Sequence, residues 1–235
     1  MESVSKDKAA DSGKFEYKFE AKPDFGCLRV KIRKGQVLKV ESSGMAAMDP
    51  QLKMKTKMKG GFSRFLTGES LFINEFSAPD GDGEMLIAPG APGDIDHVYL
   101  NNETIYLQNS AFVASAPTVE LESKWQGFMK GFFSGEKFFL IKCSGTGDLW
   151  FNTFGSLIVL DDVDSSLVVD TGHIVAFTEG LEYKVERLGG YKSLFLSGEG
   201  FVCRFSGKGK VWIQTKKIQP LASWLFWYRP AKKRD

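Results

Sequence analysis

Apolar and polar residues alternate over short stretches through most of the chain, which is the pattern of half-buried β-strands. Leu28, Val30 and Ile32 alternate with basic residues, and a second apolar run at 37–41 follows after a short polar turn. Before residue 219, no stretch places apolar side chains at the i, i+3, i+4 and i+7 spacing of an amphipathic helix. The pattern therefore predicts an all-β protein.

A longer pattern recurs three times along the chain. The blocks 60–76, 127–143 and 190–206 each contain a glycine, then a Gly-Glu pair, then an apolar run. The Gly-Glu pairs are 67 and 63 residues apart, from 135 − 68 and 198 − 135. A fixed period of this length is typical of a repeated structural unit. The repeated pairs are Gly68 and Glu69, Gly135 and Glu136, and Gly198 and Glu199.

A second anchor gives nearly the same period. The segments 40–48, 107–115 and 169–177 read VESSGMAAM, LQNSAFVAS and VDTGHIVAF. Their shared alanines, Ala47, Ala114 and Ala176, are 67 and 62 residues apart. Two anchors with one period predict three homologous β-units of about 65 residues.

These units define the expected domain organisation. Residues 1–14 are polar and are predicted to form a disordered tail, and residues 219–235 form an aromatic and basic C-terminal tail. Between them, residues 15–218 form one β domain, because a unit of this size is too small to bury its own apolar face. The units share one core, either around a pseudo-threefold axis or in an elongated arrangement. The three repeats span about 15–90, 91–154 and 155–218.

Several polar and glycine-rich segments are predicted to turn the chain. Asn101-Asn102 and 162–165 are the expected turns between the first two strands of the second and third units. The matching segments 144–151 and 206–213 each contain Gly-x-Gly, which predicts a hairpin turn because glycine adopts positive φ without strain.

Composition and charge limit the partners, the compartment and the cofactors that are expected for this protein. The net charge of +2 across 235 residues gives no bulk attraction to nucleic acid, so nucleic acid is not an expected partner. The three cysteines are far apart and odd in number, which argues against disulfides and a zinc site and favours a reducing, cytoplasmic location. The N-terminus lacks the apolar stretch of a signal peptide. We expect no cofactor and no metal.

The candidate nucleophile and the histidines occupy positions that are apolar or small in the other units. Cys203 aligns with Ile73 and Leu140, which predicts a buried thiol rather than a reactive one. His97 lies in the apolar phase of a strand, and His173 aligns with a glycine and an alanine. The sequence therefore predicts no catalytic residue and a protein that is not an enzyme.

The three repeated glutamates have two interpretations. They could converge to bind a cation or to act as acid and base. Alternatively, each could accept hydrogen bonds from backbone N–H groups of a nearby turn. We favour the structural role, because it would recur in every unit, whereas catalytic carboxylates need different environments.

A row of lysines marks one predicted strand of the first unit. The lysines alternate with apolar residues and should line one strand face. We favour a solvated strand face or a sheet edge that lysines defend against pairing. The alternative is an anion-binding strip for nucleic acid or lipid headgroups. The residues are Lys53, Lys55, Lys57 and Lys59.

The C-terminal tail combines clustered aromatic residues with a basic segment at 232–234. We expect its aromatic residues to pack on the β domain. The alternative is an interface anchor for a membrane surface or another subunit. The candidate anchor residues are Trp224, Phe226, Trp227 and Tyr228.

Several motifs also resemble a known family. GGFSRFLTGESLF, APGDIDHVYL, SAFVAS, DTGHIVAF and LFLSGEGFVCRFSGKGKVWIQT, in this order over residues 15–220, resemble the altered-inheritance-of-mitochondria twenty-four-like family. The resemblance implies a double-stranded β-helix like that of the tryptophan RNA-binding attenuation protein, and no established enzyme activity. Mitochondrial members are tied to inner-membrane organisation, but this chain lacks a transit peptide, so that role is not expected here. The fold relation does not confer RNA binding.

The expected function is therefore a non-enzymatic scaffold or interaction protein. It would associate with itself, or with a membrane or protein partner through the C-terminal tail. The alternative is a polyanion or nucleic-acid binding module that uses the Lys53–Lys59 strand face.

Overall fold

The computed structural model describes residues 14–59, 71–124, 140–164, 167–187 and 201–229. The repeated Gly-Glu pairs at 68–69, 135–136 and 198–199 lie outside the described residues. The described chain is predominantly β-structure, with one nine-residue α-helix near its C-terminal end. The predicted all-β class is therefore confirmed.

The strands follow one another in three groups along the chain. The first part of the chain contains β1 Glu16–Glu20, β2 Cys27–Ile32, β3 Val37–Glu41, β4 Met45–Met48, β5 Lys53–Lys59, β6 Leu71–Ser77 and β7 Gly83–Ile87. The middle part contains β8 Ile95–Gln108, β9 Phe112–Ser115, β10 Val119–Lys124 and β11 Leu140–Asn152. The last part contains β12 Leu157–Val163, β13 Leu167–Asp170, β14 Ile174–Thr178, β15 Leu181–Arg187, β16 Phe201–Gly207, β17 Gly209–Gln214 and the helix α1 Ile218–Phe226.

One pairing scheme occurs in each third of the described chain. In the first third, β7 pairs with β2 and β4, and β6 pairs with β3 and β5. In the last third, β17 pairs with β12 and β14, and β16 pairs with β13 and β15. In the middle third, β11 takes both central roles, because its two halves pair with the two halves of β8 and with β9 and β10.

Two ladders join neighbouring thirds, and they use the same register. Strand β3 pairs with β9 through Lys39 opposite Ser115 and Val40 opposite Ala114. Strand β8 pairs with β14 through Tyr106 opposite Phe177 and Leu107 opposite Ala176. In both ladders the paired residues occupy matching positions of the 40–48, 107–115 and 169–177 alignment. In both cases the strand that leads into the aligned segment of one third, which is β3 or the second half of β8, pairs with the strand that ends the aligned segment of the next third, which is β9 or β14.

The strands form a four-stranded sheet (β1-β2-β7-β4), a ten-stranded sheet through the middle of the molecule, and a three-stranded sheet (β13-β16-β15). The larger hydrophobic cluster comes mainly from the first two thirds and also includes Val175, Ala176 and Trp212. A smaller cluster around Phe177 and Phe205 is formed mainly by the last third.

Three glycines that begin equivalent strands lie close together. The Gly26 N–H donates to the Gly93 carbonyl oxygen at 2.8 Å, and Gly93 forms a parallel bridge with Gly155. A β-carbon on Gly93 would collide with the carbonyl oxygen of Thr153, and Gly155 has φ of +77°. Glycine is favoured at Gly93 because the backbone of Gly155 approaches it closely, at Gly26 because Ile95 packs against it, and at Gly155 because of its positive φ.

The predicted hairpin turns at Gly-x-Gly are wrong. Strand β11 runs without interruption through Gly145 and Gly147, which have φ of +116° and +149°, and its pairing with β8 shifts register at this point. Strands β16 and β17 likewise follow one another and do not pair. The positive φ angles bend the long strand at this point, as in a β-bulge. The chain pairs with one set of strands before the bend and with another set after it. The expected turn at Asn101-Asn102 is also a bend within the continuous strand β8, with Asn102 at φ +57°.

The lysine-rich strand forms as predicted over Lys53–Lys59. Leu52, just before it, is buried, whereas Met54 is 53% exposed, and Lys53 and Lys55 are exposed as well. Strand β5 is the outermost strand of its sheet and pairs with β6 alone among the described strands. Both faces of this edge strand are therefore open over residues 53–56.

Candidate functional site

The helix α1 follows β17, and its surface carries several exposed aromatic side chains. Pro220 is the third residue of the helix, where its missing N–H would have no intrahelical partner. Trp227 continues the helical conformation, and the N–H of Tyr228 donates to the carbonyl oxygen of Leu225 at 3.0 Å. The local sequence thus forms a short helix with a further turn behind it.

None of the helix residues is buried. The exposed fractions are 58% for Trp224, 51% for Phe226, 84% for Trp227 and 70% for Tyr228. The expectation that these aromatic residues pack on the β domain is therefore wrong. The described sheets leave the aromatic rings of the helix open to solvent.

The aromatic side chains form contacts within the helical segment. The rings of Trp224 and Tyr228 lie 5.0 Å apart between centroids, as expected one helical turn apart, and Phe226 and Trp227 lie 6.2 Å apart. The Arg229 guanidinium lies 3.8 Å from the centre of the Phe226 ring. This places a cation directly against an exposed aromatic surface.

Apolar residues occupy most of the helix circumference. Ile218, Leu221 and Leu225 follow one another at spacings of three and four residues, which puts them in one row. Trp224 and Tyr228 border that row, whereas Phe226 and Trp227 lie towards the side that carries Gln219 and Ser223. The exposed surface is therefore apolar over most of the helix, with a narrow polar side. We call the residues 218–229 the aromatic helix.

Polar contacts fix the point where the aromatic helix leaves the β-structure. Lys217 forms an ion pair with Asp170, with Nζ 2.9 Å from Oδ2, and Asp170 also accepts a hydrogen bond from the N–H of Gly172. The side-chain amide of Gln214 donates to the carbonyl oxygen of Gly172, and its oxygen accepts from the N–H of Phe154. The base of the helix is thus anchored although the helix itself is not packed.

A polar cleft of about 230 Å³ lies beside this anchor. It offers hydroxyl and amide groups and one lysine, and the lysine is already paired with Asp170. Nothing among the described lining residues resembles a nucleophile with its base. The cleft is lined by Asn152, Thr153, Thr171, Gln214, Lys217 and Gln219, among others.

The two histidines have structural contacts. His173 Nδ1 lies 2.6 Å from the carbonyl oxygen of Gln214, next to the helix anchor. His97 Nε2 lies 2.8 Å from Asp148 Oδ1, and the other oxygen of Asp148 accepts a hydrogen bond from the N–H of Phe15 at 2.7 Å. His97 and Asp148 therefore hold the start of β1 on the middle third of the chain.

The pairing of His97 with Asp148 was missed by sequence reasoning. The two residues lie 51 positions apart on neighbouring strands, and no spacing rule connects them. The Tyr17 ring lies 4.7 Å from the His97 ring, and burial together with the charges of Asp148 and Asp96 raises the pKa of Tyr17 to about 12. Tyr17 of β1 thus packs against this pair, whose side chains are 16% exposed for His97 and 3% exposed for Asp148.

Cys203 is fully buried, as its aligned position predicts, and burial raises the pKa of its thiol to about 12. Burial also raises the pKa of Cys143. Burial therefore disfavours the reactive thiolate form at both positions.

Of the four strip lysines, Lys53 and Lys55 have exposed side chains. The register of β5 places Lys55 opposite Glu75 of β6, so a carboxylate lies beside the row of lysines. The side chains of Lys57 and Lys59 lie outside the described residues.

No helix among the described residues has the length and apolar character needed to cross a bilayer.

The chain is similar to proteins of a bacterial pathogen. An uncharacterised protein of Streptococcus pyogenes serotype M6 is 30% identical over 176 residues, which cover 74% of this chain and 71% of that protein. The crystal structure of a Streptococcus pyogenes protein superposes with a TM-score of 0.78 at 24% identity, and the match covers 92% of this chain and all of that one. The second likeness confirms the fold.

The family model described as mitochondrial biogenesis AIM24 matches residues 17–216, which is nearly all of the β-structure and ends just before the aromatic helix. The resemblance noted in the sequence is therefore confirmed, and the chain belongs to the AIM24 family.

Proposed function

We propose that this protein is a non-enzymatic interaction protein that binds the surface of anionic membranes through its aromatic helix. The observation that carries the proposal is the exposure of seven large apolar and aromatic side chains between 218 and 228, each at least 39% exposed. Large apolar residues are otherwise concentrated in the two hydrophobic clusters of the β-structure. A surface of this kind is typical of an interaction site.

The chemistry of the aromatic helix suits a lipid interface better than a purely apolar groove. Trp and Tyr combine a large apolar ring with a polar group, and both are enriched where membrane and water meet. Trp224, Trp227 and Tyr228 supply three such side chains within five residues. Arg229 and the basic residues at 232–234 follow directly and would attract anionic lipid headgroups.

The length of the helix favours a position along the membrane surface. Nine residues extend over about 13 Å, whereas the hydrocarbon core of a bilayer is about 30 Å thick. Burying one Trp or Leu side chain contributes about 1.5–3 kcal/mol, and each basic residue near an anionic surface about 1 kcal/mol. Several such contributions together support reversible peripheral binding.

We infer in addition that the three thirds of the β-structure are copies of one β-module. The recurring pairing scheme, the matching ladders between thirds and the meeting of Gly26, Gly93 and Gly155 support this inference. In this view the module is a double-stranded β-helix unit like that of the attenuation protein. The β-structure would act as a rigid scaffold in the cytoplasm, which the three free cysteines favour.

Vesicle binding tests the membrane proposal. The full chain is sedimented with vesicles of phosphatidylcholine alone and of phosphatidylcholine with phosphatidylglycerol, and the fluorescence of Trp224 and Trp227 is recorded. We expect binding to the anionic vesicles, weaker binding at high salt, and a blue shift of the emission. The measurement uses a Trp125→Phe background, which removes the fifth tryptophan, and Trp150 and Trp212 are nearly fully buried and should contribute little to the shift.

The double variant Trp224→Ala/Trp227→Ala should lower vesicle affinity at least tenfold. Phe25→Ala is the matched control, because Phe25 is an aromatic residue that is 68% exposed and lies outside the helix. A wild-type chain that stays in the supernatant with anionic vesicles contradicts the proposal. A double variant that binds as tightly as Phe25→Ala contradicts the role of the helix.

The lysine strip remains the second candidate, as a binding face for polyanions. It is favoured by the exposure of Lys53 and Lys55 on an outermost strand. If the strip binds polyanions, Lys53→Glu/Lys55→Glu should abolish salt-sensitive retention on heparin and leave vesicle binding unchanged.

A further inference from the structure

The two ends of the strand-pairing scheme are open in this structure. Strand β4 pairs with β7 on one side, and no other described strand pairs with its second edge. Strand β13 likewise pairs with β16 alone among the described strands. Unpaired edges expose backbone N–H and C=O groups that can pair with another strand.

The exposed side chains at these edges are apolar. All four residues of β4 are exposed, with Met45 at 40% and Met48 at 37%. Val168 of β13 is 39% exposed. Neither edge carries a lysine or proline of the kind that protects an edge strand from pairing.

The two internal ladders show what fits these edges. Strand β3 covers β9, and β8 covers β14, each time with the second strand of one third on the third strand of the next. The missing member of this series is β13 on β4. The 40–48, 107–115 and 169–177 alignment then gives the register. Val169 would lie opposite Ala47, and Val168 opposite Met48.

We propose that β13 of one copy of this chain pairs with β4 of a second copy, in the register used by the internal ladders. One chain carries both complementary edges and pairs neither with the other, so a second copy offers each edge a partner that the described strands of its own chain do not supply. The contact continues an interface already present twice within the molecule. The contact joins two different edges and is therefore head-to-tail. Two copies can also form both contacts at once, with β13 of each copy paired with β4 of the other.

The apolar residues at the edges match this partner. In the ladder between β3 and β9 the residues that correspond to Val168 and Met48 are covered, since Lys39 is 8% exposed and Ser115 is fully buried. Val168 and Met48 are exposed in the isolated chain and would become neighbours across the new ladder. The proposal does not depend on lipid binding, and it is tested without lipid.

The mass of the full chain in solution gives the first test. Light scattering across a range of concentrations should show a species at least twice the monomer mass. Val168→Lys should convert it to the monomer. The matched control is Ile158→Lys, because Ile158 is 44% exposed on β12 of the same third and lies outside the proposed contact. Monomer mass for the wild-type chain at all concentrations overturns the proposal, as does dissociation by Ile158→Lys alone.

Cross-linking tests the register and does not rely on the stability of the lysine variant. In a Cys27→Ser background, the remaining cysteines are buried. Chains with Val168→Cys are mixed with chains with Met48→Cys under mild oxidation, and we expect a disulfide-linked dimer. Val168→Cys mixed with Met45→Cys, three residues out of register, should not cross-link.

The chain that carries both Val168→Cys and Met48→Cys distinguishes the partner. A disulfide within one chain, at monomer mass, would show that β13 closes on its own β4 and would overturn the proposal. A cross-link between chains supports it.

Discussion

Strands β4 and β9 occupy the same position in successive thirds of the chain and have opposite environments. Both pair on one side with the last strand of their own third, with a register shift at the same place. All four residues of β9 are buried, whereas all four residues of β4 are exposed. The difference is the neighbour on the second side, because β3 covers β9 and no described strand covers β4. Burial of a strand here depends on the adjoining third as much as on its own sequence.

The largest expected difference in stability is between substitutions of Phe112 and Met45, which are the first residues of β9 and β4 and align with each other. Phe112 is fully buried, so Phe112→Ala should lower the free energy of unfolding by about 3–5 kcal/mol. Met45→Ala removes a side chain that is 40% exposed and should change it by about 0.5 kcal/mol. Urea unfolding of both variants, measured at low concentration, provides the comparison. Equal losses would mean that β4 is buried in solution.

A smaller effect is expected at the strand that covers β9. Lys39 is nearly buried, and its ammonium group donates to the carbonyl oxygens of Pro117 and Val119 at 2.7 and 2.8 Å. Lys39→Ala leaves those carbonyls without this donor and should cost about 2 kcal/mol of unfolding free energy. Val168→Ala, at the matching position of β13, should cost about 0.5 kcal/mol. Thermal unfolding of the two variants measures this difference in stability. A Lys39→Ala variant with unchanged stability would argue against the buried contact.

The smallest effect concerns pH, at the residue that ends β3 before β4. Burial raises the pKa of Glu41 from 4.5 to about 7, so the folded protein holds a proton that the unfolded chain releases at lower pH. Stability from this residue is therefore complete below pH 4.5 and is lost as the pH rises through 7. Allowing for partial solvent exposure, the loss should be about 1–2 kcal/mol.

Glu41→Gln gives the first third the residue that the middle third has at Gln108. This variant should remove the pH-dependent loss, which is measured as the difference in urea midpoint between pH 5 and pH 8. A wild-type midpoint that rises over this interval, with the variant unchanged, would contradict the sign of the prediction.

Much of the fold follows from local pattern. Strands β2 and β3 lie where alternation places them, and the aligned position of Cys203 predicts its burial correctly. These features depend on which face of a strand meets the core, and the period of two carries that information. The Gly-x-Gly segments were misread because positive φ serves a bend in a long strand as well as a hairpin turn.

The candidate site was less predictable, because it depends on what lies outside a segment. The aromatic composition of the C-terminal tail shows that its residues need an apolar environment, but it does not identify that environment. The exposure of Met54 likewise follows from the position of β5 at the end of its sheet, which no local pattern contains. The hydrogen bond between His97 and Asp148 joins strands whose register only the fold sets.

The meeting of Gly26, Gly93 and Gly155 limits how the chain can evolve. Each glycine lies just before a strand of a different third. A side chain on Gly26 would push against Ile95, and one on Gly93 would push against the backbone of Gly155, so both contacts cross from one third to the next. Substitution or lengthening in one third would thus require compensating change in its neighbour. Insertions and substitutions should accumulate in the peripheral loops, because the contacts among these three glycines constrain how the thirds are placed relative to one another.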